Sequence, residues 1–251
     1  MELKNRVAVV TGANGAIGRA ISMELARQGA RVALDYTVKP ETAQAIADEI
    51  TAEGHEAVAI CADVTDPEQT QALMKQVAER WGGVDIVVNV AGIMDSAPLE
   101  EMSYAQWNRV ININLNGVFN ICRAAIDYLK KSPHGRIIGI SSQAAFRGSV
   151  TNCNYCAAKA GMVGMTYALA RELGKYNITV NTVSPGRVMT ELLESYQNKA
   201  DRKVEKWMEE TPLGRFGTVQ EIADMVAFLA SDKGSYITGA NMNVNGGMLV
   251  G

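Results

Sequence analysis

Ser142, Tyr155 and Lys159 occur as S-x12-Y-x-x-x-K, a set of side chains suited to moving a proton onto or off an oxygen atom. Tyr155 and Lys159 are four residues apart, so on a helix they share one face. A phenol with a pKa of about 10 exchanges protons poorly at neutral pH. An ammonium beside it favours the phenolate, so the pair predicts a tyrosine drawn toward the working range. Y-x-x-x-K alone also arises by chance on helix surfaces. Its company gives it weight: Ser142 ends an apolar run, and Asn114 stands among Val110, Ile111, Ile113, Leu115 and Val118, where an amide needs a buried partner.

A second constellation lies near the N-terminus. Thr11-Gly12-Ala13-Asn14-Gly15-Ala16-Ile17-Gly18 follows an apolar run and precedes an amphipathic stretch. Glycines there let the chain turn tightly and bring backbone N–H groups to a pyrophosphate at a helix N-terminus. Glycine-rich turns are common, but one between a strand and a helix reads as a phosphate loop.

The elements that must position these residues follow from periodicity. Short β-branched runs at 6–10, 31–36, 57–61, 85–88, 136–141 and 178–183 read as strands, nearly continuous in apolar residues as parallel strands covered on both faces are. Helical segments at 17–28, 41–52, 67–81, 104–130 and 153–176 lie between them. Asp66-Pro67-Glu68 is a helix start, and Gly29, Gly54, Gly82 and Gly174 fall where helices should stop. The alternation predicts one Rossmann-like domain over 1–251, an α/β fold with a doubly wound parallel sheet of about seven strands. Ser142 would then lie at the carboxyl edge of the sheet, where such folds bind ligands. The polar stretch 190–212, ahead of a helix at 219–230 and a strand at 242–244, reads as a mobile lid.

Composition narrows the partners. Twenty-four Lys and Arg stand against 27 Asp and Glu, with no basic run, so neither nucleic acid nor an anionic membrane is expected. The N-terminus lacks a signal-peptide core, and no apolar stretch approaches the ~20 residues that cross a bilayer. A soluble, cytoplasmic protein is the expectation. Four cysteines are too few for a disulfide framework. Cys153 and Cys156 form a C-x-x-C pair, open to a redox or zinc reading. His55 and His134 lack ligand spacing, so no metal is expected and the cysteines read as small packed side chains at a helix start.

The loop resembles the T-G-x-x-x-G-x-G of the short-chain dehydrogenase/reductase family, with Ala16 at its middle glycine and Gly15 just before. A methyl there is tolerable where the backbone is helical. Ser142, Tyr155, Lys159 and Asn114 match the family's set, and Asn89-Val90-Ala91-Gly92 resembles its N-N-A-G with Val90 for the second Asn. The likeness runs along essentially the whole chain. It implies a hydride moved between NAD(P)(H) and a ketone or secondary alcohol, with Tyr155 as general acid/base and Ser142 orienting the substrate oxygen. It further implies that Lys159 holds the nicotinamide ribose and that Asn114 supports a proton relay. Gly12, Asn14, Gly15, Ile17 and Gly18 would cradle the cofactor, Asp63-Val64 would meet its adenine, and Asn89, Ala91 and Gly92 would line it. Asn181-Thr182-Val183-Ser184-Pro185-Gly186 resembles the run before the nicotinamide, with Val188 beyond it and Thr190 matching the hydroxyl that holds the carboxamide.

The choice of cofactor rests on the end of the second strand. An acidic residue about twenty positions past the loop takes a ribose 2′-OH and implies NAD(H), and Asp35 fits loosely. Counting along the family pattern puts Tyr36 at the discriminating position, and one residue of shift turns a side chain to the other face. The balance favours NADP(H), with NAD(H) the alternative. Met94, Gln143, Asn152, Arg187 and Leu193, with Ser142 and Tyr155, are the expected substrate contacts. Met94-Asp95-Ser96 stands where acyl-carrier-protein reductases of the family carry Thr-Arg-Asp, which lowers but leaves open a 3-oxoacyl thioester reductase; a non-catalytic cofactor-binding scaffold is the other alternative. The family packs the two long helices between subunits, which implies a homotetramer.

Overall fold

The computed structural model describes residues 2–189 and 207–250. Its strands are β1 (Val7–Val10), β2 (Arg31–Tyr36), β3 (Ala57–Cys61), β4 (Ile86–Asn89), β5 (Arg136–Ile140), β6 (Thr179–Pro185) and β7 (Asn241–Val244). They form one parallel sheet in the order β3-β2-β1-β4-β5-β6-β7. The chain winds outward from β1 through β3 and then returns to place β4 beside β1. The strand order therefore reverses between β1 and β4, where a crevice opens at the carboxyl edge.

Alternation along each strand makes two cores. Ala8 and Val10 of β1, Val32 and Leu34 of β2 and Ile138 and Ile140 of β5 face one layer, with α1 (Ala16–Arg27), α2 (Pro40–Ala52) and α8 (Val219–Ala230) packed on it. Val7 and Val9, Ala33 and Ile137 face the other, against α3 (Pro67–Trp81), α5 (Gly117–Leu129) and α7 (Cys153–Leu173). Fully buried side chains such as Ile21, Leu34, Ile86 and Ile121 each contribute about 1.5–3 kcal/mol by leaving water. Among the described residues no helix is long and apolar enough to cross a membrane.

The caps follow the sequence at α3: the Asp66 side chain accepts from the Glu68 and Gln69 amides, Pro67 takes the first turn, and Gly82 closes the helix at φ 91°. Three features differ from expectation. The helix expected over 104–130 is α4 (Tyr104–Ile111), a π-turn at Asn112–Asn116 and α5. A four-residue helix, α6 (Ala144–Arg147), follows β5. Gly174 stays helical in a 3₁₀ turn, and Asn177 takes the left-handed conformation that ends the segment. Of the stretch expected to form a lid, 190–206 lies outside the described residues.

Candidate active site

The phosphate loop is shaped by contacts that a side chain would break. Gly12 has φ +60°, and a Cβ there would stand 2.8 Å from the Ala91 Cα, so the loops after β1 and β4 touch backbone to backbone. A Cβ on Gly18 would collide with the Gly12 carbonyl and stand 2.8 Å from the Ala13 Cα. Gly15 is the N-cap of α1 and Ala16 its first helical residue, so the methyl that departs from the family loop sits on helical backbone. No side chain caps α1, which leaves its first-turn N–H groups facing the crevice. Thr11, which the sequence placed in the loop without a contact of its own, ties the loop together: its hydroxyl accepts from the Val90 and Ala91 amides at 3.0 and 3.1 Å.

Two clefts meet at Gly92 and Ile93. One of about 680 Å³ is lined by Gly12, Asn14, Thr37, Val38, Asp63, Val64, Ala91 and Asn112, among others. Asp63 holds its own turn by accepting from the Thr65 amide and hydroxyl, and Asn14 donates to the Val38 carbonyl at 2.6 Å. The other, of about 310 Å³, runs past Ile17, Met94, Ser142, Tyr155, Lys159, Pro185, Gly186 and Val188. The two share Gly92 and Ile93 at the switch point of the sheet, the place where folds of this kind bind ligands. Asn89 lines neither: that residue is buried, its Nδ2 3.8 Å from Cys122 Sγ.

Strand β5 and helix α7 bring the reactive set together. Ser142 lies just past the end of β5, its Oγ accepting from the Ala144 amide at 3.1 Å. The Ser142 hydroxyl is close enough to the Tyr155 phenol to favour its ionised form. One turn along α7, the Lys159 Nζ stands 5.7 Å from the Tyr155 ring centre and donates to the Ile140 carbonyl at 2.7 Å. The expected lowering of the Tyr155 pKa does not hold here. Loss of water raises it, and the Ser142 hydroxyl opposes this only in part. The same loss of water pulls Lys159 down to about 8. Asn114 is fully buried on the π-turn, where its Oδ1 accepts from the Ile93 amide at 2.8 Å and its Nδ2 donates to the Ile93 carbonyl at 2.9 Å. The Gly92 Cα faces both Asn114 and Lys159, and a Cβ on it would be 3.4 Å from Asn114 Oδ1 and from Lys159 Nζ.

Asp35 faces inward. Burial pushes its carboxyl up to about 8, against backbone hydrogen bonds at Gly12 and Ala62 that lower it. Thr37 and Val38, not Asp35 or Tyr36, line the crevice there. Met94 lines the reactive cleft, and Gln143 sits beside it with its Oε1 buried and without a hydrogen-bond partner among the described residues. Asn152 is committed to loop structure: it accepts from the Ser96 hydroxyl and donates to Ser149 Oγ and the Val150 carbonyl. Arg187 pairs with Glu210 at 2.7 Å and lines a separate cleft with Arg215. Thr190 and Leu193 lie outside the described residues.

The family model described as enoyl-(acyl carrier protein) reductase matches residues 12–249. The 3-oxoacyl-[acyl-carrier-protein] reductase FabG of Staphylococcus aureus is 42% identical over 241 residues, 96% of this chain and 97% of that protein. A short-chain dehydrogenase/reductase from Serratia marcescens superposes with a TM-score of 0.92 at 35% identity, over 99% of both chains. A blue fluorescent protein from a metagenomic library, solved in complex with NADPH, does so with a TM-score of 0.92 at 37% identity over all of both. Likeness of this extent, running from the phosphate loop through the Ser–Tyr–Lys cleft, carries a conclusion about reaction as well as fold: the chain belongs to the short-chain dehydrogenase/reductase family, oxidoreductases that move a hydride between NAD(P)(H) and a ketone or secondary alcohol.

Proposed function

We propose that the protein reduces the 3-keto group of an acyl thioester with NADPH, Tyr155 delivering the proton, as a cytoplasmic homotetramer. The observation that carries this reading is the Ser142–Tyr155–Lys159 set, with Lys159 buried and Ser142 and Tyr155 half-buried along one cleft. Met94 lines that cleft with Ile17, Val90, Ile93 and Val188, apolar side chains of the kind an acyl chain would require. The similarity to 3-oxoacyl-[acyl-carrier-protein] reductases supports it, although Met94-Asp95-Ser96 departs from their loop.

The cofactor supplies the hydride when bound. The protein's own residues do the rest. Tyr155 carries its proton at neutral pH, because burial raises its pKa, and is ready to donate to an oxygen that gains negative charge. Ser142, aligned by the Ala144 amide, gives that oxygen a second hydrogen bond. Lys159, anchored on the Ile140 carbonyl, turns donor capacity toward the ribose side of the cleft. Asn114 fixes the backbone at Ile93, between the two clefts.

NADPH is favoured because Asp35, the acidic residue expected to take a ribose 2′-OH, does not line the crevice, and Asp63, which does, accepts hydrogen bonds from its own turn at Thr65. Asp35 is turned into the fold, and Asn14, Thr37 and Arg109 line the crevice there. Four unpaired cysteines accord with a reducing compartment. Exposed Phe119 on α5 and Tyr167 on α7, 57% and 46% accessible, support packing of these helices between subunits. The test follows nicotinamide absorbance with a short 3-oxoacyl thioester and with simple cyclic and aliphatic ketones. We expect kcat/KM for the thioester with NADPH to exceed that with NADH by about tenfold or more, which is ~1.4 kcal/mol of discrimination. Turnover of simple ketones but not the thioester would contradict the substrate class.

A further inference from the structure

Tyr155 lies inside a dithiol segment, Cys153-Asn154-Tyr155-Cys156, on the first turn of α7. Cys153 is exposed, so it is not the packed side chain that the sequence led us to expect, and its Sγ stands 3.6 Å from Met102 Sδ. Cys156 is half-buried, near enough to interact electrostatically with both Cys153 and Tyr155. Residues three apart on a helix share a face with Cβ atoms about 5–6 Å apart. A disulfide needs about 3.5–4.5 Å, so a slight tightening of one turn closes the ring.

This turn is the part of α7 best able to tighten. No side chain caps the helix, and the chain reaches it through Gly148 and Thr151, both at positive φ. Tightening would not be silent at the reactive centre. Asn154 is fully buried, donates to the Asp95 carbonyl at 2.9 Å and accepts from the Tyr155 amide at 2.7 Å, so it and Tyr155 move with the turn.

We propose that Cys153 and Cys156 are a reversible oxidation site whose state sets the position of the Tyr155 hydroxyl. The inference rests on the reading of Tyr155 as proton donor. A peroxide is the oxidant. The Cys153 thiolate attacks one peroxide oxygen, giving a sulfenic acid and, with a proton, water. The Cys156 sulfur then displaces that hydroxyl, the S–S bond forms, and a second water leaves. Two thiols thus lose two electrons and two protons, and one peroxide becomes two waters. A thiol reductant reverses the step by exchange. Exposure makes Cys153 the attacking residue and leaves Cys156 to resolve.

The test treats the full-length protein with hydrogen peroxide and reads three quantities: a peptide map of disulfides, NADPH-dependent ketone reduction, and amide hydrogen exchange across 149–157. We expect a Cys153–Cys156 cross-link, altered exchange on that turn and turnover reduced about tenfold or more, within what ångström-scale misplacement of a reacting group produces. Dithiothreitol should restore all three. Cys153→Ser should keep basal turnover and resist peroxide, whereas Cys61→Ser should respond as the unaltered protein does. Absence of the cross-link, or a cross-link with unchanged exchange and turnover, overturns the proposal. If the reduced protein turns over no ketone, the functional reading fails by itself, and the cross-link and exchange still decide the redox site.

Discussion

Tyr155 and Lys159 are both removed from water, and each is pushed toward its neutral form, the phenol upward and the ammonium down to about 8. Their spacing in the sequence revealed the pair, but the sign of the shift depends on burial, which spacing does not encode. Two pH effects follow. Reduction loses the Lys159 charge as pH rises through about 8, so kcat/KM should decline there, and a profile flat to pH 10 would contradict this assignment. Stability moves the other way: the unfolded chain holds the Lys159 proton up to 10.5, the folded one only to about 8, so stability rises with pH between those values. Asp35 has the opposite sign. Its folded value of about 8 lies above the ordinary aspartate value of 3.8, so the folded state binds more protons in that window and stability falls as pH rises through it. Asp35→Asn should flatten the fall in urea-unfolding free energy across that window; an unchanged slope would mean that the carboxyl is ionised and compensated. The structure brings Ser142, Tyr155 and Lys159 to one cleft as their spacing suggested, and buries Asn114, which stood out as an amide among apolar neighbours. Asn152 and Arg187 were chosen by loop position alone, and the fold ties both to neighbouring loops.

At the level of elements, the π-turn at Asn112–Asn116 is what the sequence concealed. Apolar spacing over five residues reads alike whether the hydrogen bonds run to i+4 or i+5, so 104–130 looked like an unbroken helix. The extra residue lets Asn114 reach across to Ile93. Asn114→Ala would remove both hydrogen bonds to the half-buried Ile93 backbone, at a cost of about 1 kcal/mol for each net hydrogen bond, measurable as a lowered unfolding midpoint. Helix α6 escaped notice because four residues are too few to show a period. The phosphate loop's position between strand and helix was readable, since Gly12 and Gly18 each stand where a side chain would collide with backbone. Gly12→Ala combines a left-handed backbone with a 2.8 Å contact to Ala91, so it should weaken NADPH binding at least tenfold, about 1.4 kcal/mol, seen by cofactor fluorescence titration. Unchanged affinity would mean that the backbone at Gly12 does not approach the cofactor.

Across the whole molecule, strand–helix alternation predicted the doubly wound sheet because parallel strands covered on both faces leave a continuous apolar signature, as in β1 and in Ile86–Val88 of β4. The assembly is less visible in one chain, since a face buried between copies and a face open to water differ only in neighbours. Light scattering should report about four times the 27.0 kDa chain mass. A particle of one chain mass would refute the tetramer. The proposed function makes sheet, loop and helix serve one event, delivery of a proton by Tyr155 to the oxygen of a ketone. The most direct measurement of that is turnover by Tyr155→Phe with NADPH affinity determined in parallel. The expected result is a fall in kcat of about 10²–10⁴-fold with NADPH binding nearly unchanged. Undiminished turnover would show that another group supplies the proton.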